Sequence, residues 1–319
     1  LLGSQINGRI HCLFHPVKND EGGAVTGRFS SSNPNLQQVP SRDERIGPLI
    51  RGLFLPDEGH QWFCLDWSQV EYRLLVHYAV LNRSTGATEV LNQYLADTRT
   101  DYHSIVQALV KEKLGRDVPR SKIKNVNFGI IYGMGVEKLG STIGMDPDEM
   151  EEFLKAYHAA IPFANEMKKD VTAVANRRGF IKTILGRRRR FDSWESRDWD
   201  TSRDDSPTTY EAAIEKYSGV RNIKRAGTFK ALNALIQGSA ADLMKMAMLK
   251  AWNAGLTSGT GGPLRIHLTV HDELDGSIPD SKEGTEALAE LKNIMETAIP
   301  LKIPMLAEGG IGENWAKAK

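Results

Sequence analysis

Two short runs, about two hundred residues apart, each place a carboxylate directly after a hydrophobic stretch of strand character. The first is LDWSQVE, Leu65 to Glu71, where Asp66 closes the stretch WFCLD. The second is LTVHDEL, Leu268 to Leu274, where Asp272 closes LTVHD. Acids so remote in sequence meet only if the fold pairs the strands that carry them. A convergent pair repels strongly unless cations neutralise it. The pattern restricts the chain to folds whose sheet joins these two segments. It suits a site for two divalent ions serving phosphoryl transfer.

The 319 residues are enough for roughly one to three domains. The net charge of +1 gives no global positive field, so attraction to a polyanion must be local. Gly186 to Arg190 (GRRRR) and the series Arg120, Lys122, Lys124 are the candidates. Cys12 and Cys64 have no CxxC partner, which argues against a zinc site or a disulfide framework. Cys64, inside an apolar run, is expected to be a packed core thiol. No apolar stretch is long enough to cross a bilayer and the N-terminus carries no signal-peptide pattern, so the expected setting is intracellular and cytoplasmic, with no membrane partner.

The first sixty residues read as extended and loop-rich, ending in the irregular TGRFSSSNPNLQQVP. Within it Arg28 sits between a glycine and an aromatic, where a fixed loop can aim it at a phosphate or a base edge. Helices are expected over Gln69–Asn82, Asp101–Leu114 and Pro119–Tyr132, from apolar spacing and from Pro119 at a first turn. One or two more fall in 148–178, a long one over Ile223–Trp252, and a last one over Ser281–Thr297, with a short tail closing the chain. GFIKTILGRRRRF reads as a hairpin with a basic tip. LRIHLTVHDELDGSI reads as a hairpin turning at His271 and Asp272. The polar stretch 192–209 is expected to be an exposed loop. Helices and strands without regular βαβ alternation indicate an α+β fold.

Arg120, Lys124, Phe128 and Tyr132 recur every four residues along the third of these helices. They form a gently winding stripe about 18 Å long, comparable to an extended nucleoside triphosphate. Two cations suited to phosphates come first, then an aromatic suited to a sugar face, then one suited to stacking near a base. The alternative is an ordinary amphipathic helix with its aromatics in the core and its cations in solvent. The carboxylate runs elsewhere in the chain favour the functional reading.

These residues resemble the A-family DNA polymerases, the group of bacterial DNA polymerase I and many phage replicases. TGRFSSSNPNLQQVP is similar to the loop that follows the family's thumb, DWSQVEYR to its motif A, and RSKIKNVNFGIIYG to motif B on its fingers helix. NALIQGSAADLMKMAM and VHDEL resemble the last two palm motifs, and GIGENWAKA the C-terminus. Six such segments in order leave little room for coincidence.

The resemblance implies an antiparallel palm sheet with a helical fingers subdomain, a right-hand polymerase without a visible thumb. The implied domains are 1–82 (palm, with motif A), 83–190 (fingers) and 191–319 (palm, with motif C). It implies two Mg2+ ions on Asp66, Asp272 and the main-chain carbonyl of Trp67, with Glu273 as an auxiliary acid. It implies nucleotide contacts from Gln69, Glu71, His103, Arg120, Lys124, Phe128 and Tyr132. Lys124 would also protonate pyrophosphate, and Glu71 would crowd the sugar 2′ position. Arg28, Asn233, Gln237 and His271 would touch DNA. Glu273, His103, Asn233 and Gln237 also have plain structural readings, as a solvated acid, a core histidine and helix-surface amides.

The implied partners are primer–template DNA and deoxynucleoside triphosphates, with a missing thumb or exonuclease segment or a processivity factor as further candidates. The chain starts after the point where a thumb would end, so weak DNA binding and distributive extension are expected. A basic residue often found before the Asn233 helix motif is replaced by Phe229, with Lys230 beside it. The competing readings are a single-subunit RNA polymerase-like nucleotidyltransferase, which the bulk of Glu71 disfavours, and a catalytically weak or idle nucleic-acid-binding fragment.

Overall fold

The computed structural model describes residues 2–19, 22–41, 43–197 and 206–318. The chain forms two compact units, residues 1–73 with 239–319, and residues 74–238. Their limits fall inside two continuous helices, Val70–Leu81 and Ala231–Asn253.

The first unit is built on one antiparallel sheet. Short strands β1 (Gln5–Ile6), β2 (Arg9–Ile10), β3 (Leu13–His15) and β4 (Ser30–Ser32) form two small hairpins, followed by the short helix α1 (Ile46–Arg51). Strand β5 (His60–Trp67) follows, then α2 (Val70–Leu81), the helix expected over 69–82.

The second unit is mainly helical: α3 (Ala87–Ala96), α4 (Tyr102–Leu114), α5 (Arg120–Ile131), α6 (Val136–Ile143), α7 (Pro147–Ala160) and α8 (Pro162–Arg178). Asp101 caps α4, its carboxylate accepting from the Ser104 amide, and Asp146 caps α7 in the same way through Glu149. The expected helical stretch 148–178 is therefore two helices, with the break at Ile161–Pro162, where proline lacks an N–H to continue the first.

The hairpin with the basic tip is β6 (Phe180–Lys182) against β7 (Arg188–Arg190). Two expectations then fail. Residues 192–209 are not simply an exposed loop: Trp194–Ser196 is a strand, β8, with Glu195 and Ser196 buried. Its partner is β9 (Ile223–Arg225), in the stretch expected to open the long helix. Strand pairing and the small apolar cluster Ala213, Tyr217 and Ile223 overrode the local helical signal. A short helix, α9 (Tyr210–Lys216), lies between them, and the long helix α10 starts only at Ala231. The rest of the expected loop, 198–205, lies outside the described residues.

Strands β10 (Arg265–Val270) and β11 (Glu273–Pro279), helix α11 (Lys282–Glu296) and strand β12 (Ala307–Gly312) complete the first unit. The sheet order is β10-β11-β5-β12, antiparallel throughout. The motif-bearing strands β5 and β11 are thus its two central members. The C-terminal segment, expected to be a tail, supplies an edge strand. One face packs Trp62, Cys64, Leu268 and Val270 against Trp315 and Leu36. Trp315 is fully buried, stacked near Trp62 at 6.0 Å between ring centroids, with the Arg51 guanidinium 4.3 Å over its ring.

Candidate active site

Asp66 occupies the penultimate position of β5. Its register partners are Glu273 on β11 and Glu308 on β12. Residues directly opposite in antiparallel strands share a face, with Cβ atoms about 4.5–5.5 Å apart. Glu273, Asp66 and Glu308 therefore form a row of three carboxylates across the sheet end. Glu273 is buried at 2% exposure, which removes its reading as a solvated acid, while Glu308 is exposed.

Asp272 stands beside this row. The β10–β11 connection is a two-residue hairpin, because Val270 pairs with Glu273 and leaves only His271 and Asp272 between the strands. His271 takes φ +60°, as such tight hairpins require of a central residue. The Asp272 carbonyl lies 3.4 Å from the Trp67 amide, one residue beyond Asp66. The two remote aspartates are thus brought to the same end of the same sheet.

Arg28 reaches this cluster. Its Nη2 lies 2.9 Å from Glu71 Oε1, and 2.9 and 3.1 Å from the two carboxylate oxygens of Asp272. Gly27 at φ +82° makes the turn that aims it. The expected fixed loop exists, and here it points the guanidinium at acids. Glu71 is buried in the first turn of α2, and Gln69, just before that helix at φ +55°, accepts through its carbonyl from the amides of Tyr72 and Arg73. Arg73, fully buried, ties the segment to the sheet unit by donating to the carbonyls of Ser68 and Pro304 at 2.8 and 2.6 Å.

The donor chemistry at this end of the sheet fits magnesium, a hard ion that takes oxygen ligands and binds through one or two carboxylates. Aligned acids that already draw in a guanidinium mark a place where positive charge is stabilising. One layer deeper, Cys64, Glu273 and Asp275 are all buried, with ligand atoms within 4.8 Å of one another. Cys64 is a core thiol as expected. Asp275 and Glu308 were missed by sequence reasoning. The signal for Asp275 was an acid at alternate spacing from Glu273, on the same strand face; the Trp62 indole donates to it at 3.3 Å.

The stripe of the second unit is built on α5, which begins at Arg120 after the N-cap Pro119 and ends with Tyr132 at its C-cap. Arg120 and Lys124 are exposed, Phe128 is half-buried and Tyr132 is 41% exposed. The stripe therefore faces outward, unlike the core-facing alternative, while Ile123, Val126 and Ile130 form the buried side. Phe128 lies 6.0 Å from Tyr132 and 6.0 Å from the His103 ring, centroid to centroid. The Tyr132 hydroxyl accepts from Gln237 Nε2 at 2.8 Å, which sets Gln237 on this surface. Asn233, one turn earlier on α10, keeps a buried amide nitrogen with no hydrogen-bond partner among the described residues. After the helix, Gly133 at φ +71° is obligatory in a second sense: a Cβ there would lie 2.8 Å from the Phe229 carbonyl oxygen.

Electrostatics divide the stripe's upper end. Burial pushes the Asp101 carboxyl up, but bonds from Arg120 and Ser104 outweigh it and hold it at about 2. Arg120 donates through Nε at 2.7 Å and is itself pushed up by that bond. His103 is 3% exposed, and burial, helped by Arg120 and Lys124, pulls its pKa down to about 4. Its Nδ1 lies 2.9 Å from Asn127 Nδ2, and Asn127 Oδ1 accepts from the buried Tyr157 hydroxyl at 2.7 Å. This relay assigns the Nε2–H tautomer to a neutral His103. Asn127, missed from sequence, is thus a positioning residue for His103; a buried amide on the inner side of an otherwise apolar helix face was the available signal.

The model of DNA polymerase family A matches residues 2–317. DNA polymerase I of Thermus aquaticus, described as thermostable, is 33% identical over 313 residues, which is 98% of this chain and 33% of that protein. The DNA-directed DNA polymerase of Pseudomonas phage M6 is 31% identical, over 97% of this chain and 47% of its own length. A solved structure of the POL domain of Pol1 from M. smegmatis, in complex with DNA primer-template and dNTP, superposes with a TM-score of 0.77 at 30% identity, covering 99% of this chain and 50% of that one. This chain therefore spans one third to one half of these relatives. Among the described residues no helix is long and apolar enough to cross a membrane.

Proposed function

The chain belongs to DNA polymerase family A, and on that premise we propose that it performs template-directed DNA synthesis, adding deoxynucleotides to a primer 3′-hydroxyl with release of pyrophosphate. The observation that carries this reading is the convergence of Asp66 and Asp272 at one sheet end, within a row of further acids.

Two magnesium ions held by Asp66, Asp272 and the Trp67 carbonyl would supply a lowered pKa for the 3′-hydroxyl and neutralisation of charge on the leaving group. Glu273 supports Asp66 from the neighbouring strand. Arg120 and Lys124 bind the triphosphate, and Lys124 donates a proton to departing pyrophosphate. His103, kept neutral, donates from Nε2 to a phosphate oxygen. Phe128 covers the sugar, Gln69 contacts the nucleotide, and Tyr132, steadied by Gln237, meets the template base. Glu71 fills the space a 2′-hydroxyl would need, which separates this reading from an RNA polymerase. Arg28, Asn233, Gln237 and His271 contact the primer–template, using minor-groove acceptors common to all base pairs.

A second reading has one observation in its favour. Arg28 neutralises Glu71 and Asp272, as an idle nucleic-acid-binding fragment would do permanently. Primer extension with Mg2+ decides between them. Synthesis reading expects extension with deoxynucleotides, little with ribonucleotides, and none by Asp272→Asn. Wild-type protein that binds primer–template yet never extends it leaves only the idle reading.

A further inference from the structure

The cationic end of the α5 stripe carries an acid, Asp101, that triphosphate binding leaves unexplained. Its Oδ2 accepts three bonds: from the Ser104 amide at 3.0 Å, the Ser104 hydroxyl at 2.7 Å and Arg120 Nε at 2.7 Å. The amide bond makes Asp101 the N-cap of α4. One oxygen therefore joins the start of α4 to the start of α5. A second tie runs beside it: Gln107 Nε2 of α4 donates to the Val118 carbonyl at 2.8 Å, two residues before Arg120. All of these residues lie within the helical unit.

An ordinary exposed ion pair means little, since two long side chains must be ordered in solvent to meet. Here the acid is already fixed. Asp101 is 24% exposed and its carboxylate is anchored by the cap. Burial pushes its pKa up, yet the bonds from Arg120 and Ser104 hold it at about 2, so it is an anion at neutral pH. Arg120 is 49% exposed. The bond engages its Nε and not the terminal Nη fork, which is the part that grips phosphate oxygens.

Two effects of this acid on a bound phosphate oppose each other. Its charge repels the anion, but at roughly 8 Å in water that repulsion is worth only about twofold in affinity, and less at physiological salt. Its bond to Nε immobilises a long, flexible side chain before the ligand arrives, which is worth up to roughly tenfold. Orientation outweighs charge. We propose that Asp101 is a positioning residue for nucleotide binding, holding Arg120 so that its guanidinium fork meets the triphosphate already ordered. This rests on Arg120 binding the triphosphate, as proposed above. The alternative is a purely structural acid. The helix α5 opens with Arg120, Lys122 and Lys124 follow, and its first turn has no acid, so an anion here also relieves cations set against the positive end of the helix dipole. That role acts on stability, whereas positioning acts on binding through Arg120.

Two substitutions separate them. Asp101→Ser keeps a good helix cap, but its side chain ends one bond short of Arg120. Asp101→Asn keeps both the cap and an acceptor for Nε while removing the charge. Affinities are measured by titration calorimetry of the full chain with dTTP and Mg2+, and with inorganic tripolyphosphate as a second probe. Asp101→Ser should weaken both probes by roughly threefold to tenfold, with an unchanged circular dichroism spectrum. Asp101→Asn should stay within about twofold of wild type. Arg120→Ala should weaken them more, and adding Asp101→Ser to it should cost nothing further. Equal or tighter binding by Asp101→Ser overturns the proposal. So does a loss that persists undiminished in the Arg120→Ala background, or an Asp101→Asn as weak as Asp101→Ser. Wild type that binds neither probe overturns it as well. Primer extension is scored separately. Wild type that binds dTTP in this Arg120-dependent way yet extends no primer counts against the polymerase reading alone. Wild type that extends primers with the same KM for dTTP as Asp101→Ser keeps that reading and removes the positioning role.

Discussion

The sheet site and the helical stripe are positioned by different physics. At the sheet end, Asp66, Glu273 and Glu308 come from three strands and share a row only because register sets them opposite one another. A one-residue slip in any strand would turn its acid to the other face. On α5, Arg120, Lys124 and Phe128 are aligned by helical repeat alone, and tertiary packing decides only that the stripe faces out. The first arrangement concentrates like charge and calls for a cation. The second concentrates positive charge and calls for an anion.

The difference predicts unequal responses to single substitutions. Asp272→Asn has the largest effect: loss of nucleotide incorporation by at least about 10³-fold in single-turnover extension, in line with the cost of removing a key electrostatic group. Its thermal stability should change little, since the lost ion pair with Arg28 offsets the relief of like-charge repulsion. Activity within tenfold of wild type would remove the sheet end from the chemistry. Lys124→Ala, on the stripe, lowers the turnover number by about 10²-fold, the lower end of general-acid contributions. It leaves the melting temperature unchanged, because Lys124 is exposed. An unaltered rate would return the stripe to a solvated face.

Glu71→Ala belongs to the sheet site but acts on selectivity. Competition between deoxy- and ribonucleotides should show discrimination reduced by roughly tenfold to a hundredfold, the range for excluding one added hydroxyl. Unchanged sugar choice would unseat Glu71 from that role. Asn127→Ala acts through His103. It strands the Tyr157 hydroxyl and frees the imidazole tautomer, costing about 1–3 kcal/mol of stability in a denaturant titration. Full stability would mean that the relay is dispensable.

The smallest effect is in pH, and it separates the two units. His103 titrates at about 4 when folded and near its ordinary 6.5 when unfolded. Between those values the unfolded chain binds more protons, so the helical unit loses stability as pH falls through that window. Asp57 of the sheet unit feels burial pushing it up, but Arg265 and Arg9 outweigh it and hold it at about 2, so its contribution persists above its ordinary 3.8 and fades only as pH falls toward 2. Hydrogen exchange followed from pH 7 to 4 should show opening in the helical unit first, and His103→Gln should flatten that trend. Simultaneous opening of both units would contradict the contrast.

Much of this was legible in sequence where the signal is local. The helices around 70–81, 102–114, 120–131 and 282–296, the basic hairpin, and the tight turn at His271 follow from periodicity, capping and spacing. What was missed is tertiary in origin. Strand β9 was hidden under a helical pattern because its stability comes from β8 and a small apolar cluster. Strand β12 reads as a tail because it is stable only against β5. Glu308 and Asp275 gain meaning solely from the residues opposite them.

By itself the sequence determined the order of motifs, the two strand-borne aspartates and the graded stripe on α5, because each depends on neighbours within a few residues. Only the tertiary structure decided the row of acids, the reach of Arg28 onto Glu71 and Asp272, and the packing of Tyr210 on Trp194. Each of these brings together side chains from separate segments, and such encounters depend on strand register and packing, which no local pattern encodes.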